Sequence, residues 1–265
     1  MRVPDESAPE RRAAAAVEFE RVNTTPAPPP MANAYVEAGV MGYVFGEVWR
    51  RGVLSVRDRR LVALSCAAVS AAAVPIEAHV WGALNSGDLT YDAFDELVLH
   101  VATQIGWPRA AVLNSQGAAV RRRMEESGHV STASTGPTPR VEPSSPEHRR
   151  ARGLAAHQDI LGRDPDRVTS PFATEATIDF LYGEIWRRTD HLSVRDRRLV
   201  TISCAAALGA DEEAADHVSA ALTSGDCSAE ELREVVVHVA VYAGWPLARR
   251  LDALVERAVE TAGAS

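Results

Sequence analysis

Two histidines at matching places in a repeated stretch are the strongest candidates for proton transfer. His79 and His217 are each followed by valine and lie among alanine, valine and leucine residues, a composition typical of a partly buried helix. Histidine exchanges a proton near neutral pH more readily than any other side chain. A lone histidine on such a helix is more often a packing residue, so the neighbouring residues must carry part of the argument.

Two pairs of arginines precede these histidines. The segment LSVRDRRLV occurs at Leu54–Val62 and, without change, at Leu192–Val200. Its double arginine, Arg59-Arg60 or Arg197-Arg198, can bind a carboxylate with paired donors and stabilise an oxyanion. We therefore expect Arg197 to take part in catalysis, and Arg59, Arg60 and Arg198 to bind an anionic substrate. Ion pairs with the aspartate of each motif are the alternative.

A glutamate beside a tryptophan recurs upstream, in GEVWRR and GEIWRR. These glutamates, Glu47 and Glu184, are candidates for acid–base work, because an aromatic neighbour changes how easily a carboxylate ionises. An ion pair on a helix surface is equally compatible with the pattern. Trp186 is a candidate aromatic wall for the substrate, although tryptophans are most simply core or interface residues.

Composition excludes several classes of function. All 28 basic residues are arginine, so no lysine Schiff base can form. A net charge of -8 and a pI near 5.5 oppose nucleic-acid binding. No apolar run is long enough to span a membrane, and no secretory signal is evident, so we predict a cytoplasmic protein. The three cysteines lack framework spacing, which is typical of a reducing compartment.

The repeat divides the chain into two copies. We predict a first domain over residues 1–125, a flexible linker rich in Ser, Thr, Gly and Pro over 126–146, and a second domain over 147–265. Each copy is long enough to bury its own core. The repeat reaches the first helices, where Arg12 falls opposite Arg149. The Pro-rich stretch Thr24–Pro30 predicts an extended connection.

The pattern of turn signals predicts helices throughout and hence an all-α fold. In the second copy we expect helices over Ser193–Leu208, Asp211–Ser224, Ser228–Ala243 and Pro246–Thr261. Glycines 209 and 225 terminate the first two, because glycine adopts the left-handed conformation readily. The first copy repeats this plan.

These motifs, taken together, resemble the carboxymuconolactone decarboxylase family. The matching segments of the second copy are Gly183-Glu184-Ile185-Trp186, Arg197, His217, Ala221–Gly225, Glu230-Glu231 and Tyr242-Ala243-Gly244-Trp245-Pro246. The resemblance implies the all-helical alkylhydroperoxidase-D-like fold, here internally duplicated, and assembly as trimers or hexamers. For a two-copy chain it implies a homotrimer. It also implies decarboxylation of a small lactone without cofactor or metal.

Redox chemistry, which another branch of this superfamily performs, lacks its residues. That branch places a C-x-x-C four and seven residues before the histidine, where this chain has Ala72 and Pro75, or Ala210 and Glu213. Cys66 and Cys204 are expected to be small buried residues. Cys227 is expected to be an inert loop thiol.

The second copy resembles the family more closely, because Gln104 stands in the first copy where Tyr242 stands in the second. We therefore expect His217, Glu184 and Arg197, with Tyr242 and Trp186 against the substrate, to carry the chemistry. His79 and Glu47 are their counterparts, and one site built from both copies is the alternative. His100 and His238, each four residues after a glutamate, are interpreted as packing residues.

Three functions from different classes fit these residues. The first is a cofactor-independent decarboxylase or related lyase acting on a small anionic lactone or aromatic-derived acid by acid–base catalysis. The second is a tailoring isomerase or cyclase of secondary metabolism on the same fold. The third is a non-catalytic oligomeric scaffold.

Overall fold

Twelve helices are found in the computed structural model, which describes residues 6–128, 145–165 and 169–263. Within those ranges there is no β-strand, so the all-α prediction is confirmed. Each copy contributes six helices in the same order. Those of the first copy are α1 (Ala8–Asn23), π1 (Tyr35–Val48), α2 (Val56–Val69), α3 (Ala73–Asn85), α4 (Tyr91–Ile105) and α5 (Trp107–Glu126). Those of the second are α6 (Pro146–Leu161), π2 (Phe172–Ile185), α7 (Val194–Leu208), α8 (Asp211–Ser224), α9 (Ala229–Ala243) and α10 (Trp245–Gly263).

Local signals account for most of the helix ends. Ser193 caps α7 because its hydroxyl accepts a hydrogen bond from the Asp196 amide, while the Asp196 carboxylate accepts one from the Ser193 amide. Gly209 ends α7 in the left-handed conformation, as predicted. The four helices expected in the second copy are confirmed to within two residues. Most of the predicted linker, residues 129–144, lies outside the described residues, and the domain boundaries stay a prediction.

The two π-helices were not anticipated from the sequence. Their backbone hydrogen bonds span five residues, so that the Trp49 amide donates to the Val44 carbonyl and the Trp186 amide to the Leu181 carbonyl, at 2.9 and 3.0 Å. Gly46 lies inside the wider turn, where a Cβ would approach the Met41 carbonyl oxygen to 2.7 Å. Each π-helix ends at its tryptophan, which is buried.

The two copies share their packing. Helices α2 and α7 pack against each other at the centre, and each also packs on the other copy, α2 on α9 and α7 on α4. Leu192, Val200 and Cys204 of the second copy accordingly belong to the core of the first. The expectation that each copy buries its own core is therefore wrong, because the apolar faces of α2 and α7 cover one another.

The repeated Arg-Asp motif joins α2 to α7 symmetrically. Arg57 pairs with Asp196, and Arg195 donates to Asp58 at 2.7 Å. Each aspartate thus binds the arginine of the other copy rather than its own neighbour. Such a self-complementary contact uses the same residues twice, which explains why the motif is identical in the two copies.

Candidate active site: two buried histidine clusters

His217 lies at the inner end of a row of four aromatic rings. These rings, with Glu213, Arg197 and the first-copy residues Glu96 and His100, form what we call the His217 cluster. The His217 ring stacks on Trp186 with centroids 5.1 Å apart and planes within 5°. Tyr182 stacks on the other side of the indole at 6.3 Å, and His157 contacts Tyr182 at 4.7 Å. Helix α6 and π2 position the outer three rings against α8, which carries His217.

A carboxylate one turn away accompanies His217. Nε2 of His217 lies 3.3 Å from Oε1 of Glu213, which is within ion-pair distance, and both ring nitrogens are buried without a well-formed hydrogen bond. Contact with the imidazole lowers the pKa of Glu213. His217 is 1% exposed and the Glu213 side chain 46% exposed. The pair therefore connects a buried proton carrier to solvent.

The first copy completes this cluster through α4. Arg197 donates from Nη2 to Glu96 at 2.9 Å and from Nη1 to Nδ1 of His100 at 3.1 Å. Because a guanidinium only donates, Nδ1 of His100 accepts, and the proton lies on Nε2, which is 2.9 Å from the Thr201 hydroxyl. Burial and the nearby Arg197 keep the pKa of His100 well below its ordinary value. His100 is thus a neutral residue that packs edge-on against Trp186 at 5.0 Å.

A parallel row of rings surrounds His79, the His79 cluster. Phe19, Phe45, Trp49 and His79 follow one another with centroids 4.8, 6.3 and 5.8 Å apart. The second copy supplies His238, whose ring lies 5.4 Å from Trp49. Burial lowers the pKa of His79 and of His238 to about 3, so both are neutral near pH 7.

The two clusters differ where proton transfer would need polar groups. Pro75 occupies the place of Glu213, and the part of the chain that the structure describes offers His79 no carboxylate within ion-pair distance. Phe45 occupies the place of Tyr182. The His79 cluster therefore has the same arrangement of rings, but it has no counterpart of the His217–Glu213 pair, which is the proton relay to solvent.

Tyr242 belongs to the His79 cluster. Its ring lies 5.1 Å from His79, and its hydroxyl accepts a hydrogen bond from Nε1 of Trp49 at 2.8 Å. The expectation that Tyr242 works with His217 is therefore wrong. The reason is the exchange of helices, since α9 of the second copy packs on α2 of the first.

The predicted substrate-binding arginines mainly bond to other parts of the fold. Arg60 and Arg198 are buried, bind Asp88 and Asp226 through Nε, and donate from Nη2 to main-chain carbonyls of α1 and α6. Only Nη1 of each is buried without a partner. Arg59 donates to carbonyl oxygens, including that of Trp49, and within the described ranges forms no ion pair with a carboxylate.

Glu47 and Glu184 fasten the π-helices to the first helix of each copy. Glu47 pairs with Arg11 at 3.1 Å, and Glu184 with Arg149 at 2.7 Å. Arg11, and not Arg12, is therefore the counterpart of Arg149, so the predicted register of the first helices is wrong by one residue. The two glutamates hold the segments that end in Trp49 and Trp186.

The thiols are buried, as predicted for Cys66 and Cys204. Burial raises the pKa of Cys204 to about 12 and of Cys227 to about 11, and it also raises that of Cys66. No helix of the described residues is long and apolar enough to cross a membrane. Nor do those residues hold a group of three or more side chains suited to a metal ion.

Sequence reasoning missed three polar residues of the His217 cluster, namely His157, Tyr182 and Glu213. The spacing of Glu213 and His217, four residues apart on one helix, was a usable signal. His157 and Tyr182 come from α6 and π2, and no local pattern links them to His217.

Comparisons with known proteins agree with the sequence motifs. The family model described as the carboxymuconolactone decarboxylase family matches residues 34–115 and again 171–257. A 4-carboxymuconolactone decarboxylase of Acinetobacter baylyi is 31% identical over 107 residues, which cover 38% of this chain and 78% of that protein. The chain therefore belongs to the carboxymuconolactone decarboxylase family, whose domain it contains twice.

Proposed function

We propose that this protein is a cofactor-independent decarboxylase, or a related lyase, acting on a small anionic lactone or aromatic-derived acid, and that the His217 cluster carries the reaction. The supporting observation is the contact of His217 with Glu213 at 3.3 Å beneath the stacked Trp186. The similar Acinetobacter protein is named for 4-carboxymuconolactone, which makes this lactone the first substrate to test.

The reaction needs one proton and no electron acceptor outside the substrate. The bond to the carboxylate breaks, carbon dioxide leaves, and the electron pair moves through the conjugated system onto the lactone carbonyl oxygen. The resulting enolate then takes a proton at carbon from the imidazolium of His217. Glu213 faces solvent and returns a proton to the ring, so His217 acts as the general acid.

Further residues bind the substrate or position the His217 cluster. Arg198 offers Nη1, a buried donor without a partner, and we assign it to the substrate carboxylate. Trp186 forms the aromatic wall, onto which a protonated imidazole stacks favourably. Both Nη atoms of Arg197 donate within the fold, to Glu96, His100 and the Arg188 carbonyl, so we assign Arg197 to positioning. Glu184 holds π2 through Arg149.

The His79 cluster takes a supporting role in this proposal. Glu47 and Arg59 hold the segment that ends in Trp49, and Arg60 joins α2 to α1. Tyr242 completes the cluster from the second copy. We also retain the proposals that three chains assemble and that the protein is cytoplasmic. Sedimentation showing a stable monomer at micromolar concentration would contradict the trimer.

Incubation of the purified protein with 4-carboxymuconolactone, with release of carbon dioxide followed over time, tests the reaction. Carbon dioxide release that is lost when His217 is replaced supports the proposal. Consumption of the lactone without release of carbon dioxide would favour the isomerase or cyclase, because His217 and Glu213 can also abstract a proton from a substrate. No turnover of the lactone, in a folded protein, would contradict the assigned substrate.

A further inference from the structure

A surface pocket of about 680 Å³ opens in the first copy between α1, α3 and the end of α5, and no role in the proposed reaction uses it. We call it the α1–α3 pocket. Its apolar wall consists of Phe19 from α1 and of Val74, Ala78 and Trp81 from the outer face of α3. A volume of this size is typical of sites for small organic molecules.

The apolar wall is specific to the first copy. Val74 is 79% exposed and extends this wall to the surface. The matching positions on α8 of the second copy hold Glu212 for Val74, Asp216 for Ala78 and Ser219 for Trp81. One copy thus presents an apolar surface where the other presents a polar one.

An amide faces the same space. Asn23 is 5% exposed and lines the pocket, and its side chain makes no hydrogen bond with any described residue. The polar atoms of this amide are open to the pocket, so a hydrogen-bonding group of a ligand can take the place of water there. The matching residue of the second copy is Leu161, which offers no such group.

The charges at the rim select against an anion. Arg123 lies over the Trp81 ring at 5.0 Å, but its charge is already paired with Glu77. Glu126 adds a further carboxylate to the lining. The rim therefore carries more negative than positive charge, opposite to what an acidic substrate requires.

We propose that the α1–α3 pocket binds a neutral aromatic molecule bearing a hydroxyl group, with its ring against Trp81 and Phe19 and its hydroxyl bonded to the Asn23 amide. This ligand differs in charge from the acid proposed for the His217 cluster. The site is thus a second binding site of the chain.

Equilibrium dialysis of the full-length protein against three fluorescent probes tests this site. The probes are 2-naphthol, 2-naphthoate and naphthalene, which share one ring system and differ in the polar group. We expect saturable binding of 2-naphthol that is about tenfold tighter than that of 2-naphthoate. Equal or tighter binding of the naphthoate would overturn the neutral class.

Two variants introduce the residues that the second copy has at the matching positions. Trp81→Ser should weaken 2-naphthol binding about tenfold or more, because it removes the aromatic platform. Asn23→Leu should weaken 2-naphthol about fivefold and leave naphthalene unchanged, because only the hydroxyl uses the amide. Trp245→Ser is the control, since this exposed tryptophan contacts Tyr43. Unchanged binding in Trp81→Ser, with an unaltered thermal melt, would overturn the proposal.

Discussion

Tyr242 of the second copy packs edge-on against His79 of the first, with ring centroids 5.1 Å apart. The contact exists because α9 crosses to the first copy, and the reciprocal crossing of α4 brings Glu96 and His100 to the second. Each histidine cluster is therefore built from both copies. The asymmetry between the clusters then rests on Glu213, Tyr182 and His157, and no longer on Tyr242.

The first prediction concerns the two histidines. His217→Ala should lower the rate of turnover by about 100-fold or more, the usual contribution of a general acid. His79→Ala should cost much less, because no carboxylate accompanies that ring. Steady-state kinetics measures both, and thermal melts control for folding. A larger loss in His79→Ala would reverse the assignment.

The second prediction uses a matched pair of tyrosine substitutions. Tyr242→Phe should destabilise the protein by about 1 kcal/mol, because Nε1 of Trp49 loses its acceptor, and should leave turnover nearly unchanged. Tyr182→Phe introduces the phenylalanine that the first copy has at position 45. It removes the hydroxyl of the ring stacked on Trp186 and, because that hydroxyl is one of the polar groups that distinguish the His217 cluster, should reduce turnover about tenfold. Urea unfolding and kinetics separate the effects. Turnover that depends more on Tyr242 than on Tyr182 would contradict the choice of cluster.

The third prediction concerns Glu213. Contact with His217 lowers its pKa below the ordinary value of 4.5. A lowered carboxyl pKa stabilises the fold above the unfolded-state value, and that contribution disappears as the pH falls through the folded-state pKa. The stability advantage of the wild type over Glu213→Gln should therefore be present at pH 7 and shrink below about pH 4.5. Turnover of Glu213→Gln should fall about tenfold. If Glu213→Gln is as active as the wild type, Glu213 does not return protons to His217.

The fourth prediction concerns the neutral histidines of the His79 cluster. Burial lowers the pKa of His79 and His238 to about 3, so the unfolded chain binds more protons than the folded one between about pH 6.5 and 3. The free energy of unfolding should therefore decrease as the pH is lowered across that window, by about 2 kcal/mol per histidine between pH 6.5 and 5. Urea unfolding of wild type and His238→Gln at both pH values, at one protein concentration, measures the difference. Identical pH slopes would mean that His238 is not held neutral.

The fifth prediction is that turnover does not need thiols. Replacing Cys66, Cys204 and Cys227 together by Ala or Ser should leave turnover largely intact, because all three are buried with raised pKa values. Circular dichroism must show that the triple variant is folded. Loss of activity in a folded variant would restore a redox mechanism.

The sequence by itself determined the features that depend on a few neighbouring residues. Ser193 and Asp196 cap a helix, and Gly209 ends it, through contacts within one turn, so the helix bounds and the all-α class could be predicted. The duplicated motifs likewise identified the family. Only the tertiary structure decided which residues meet. Tyr242 and His79 are far apart in the sequence, and their contact follows from the packing of α9 on α2, for which a local pattern carries no signal. The row from His157 to His217 was equally hidden, because it joins three helices whose relative positions depend on the shared core.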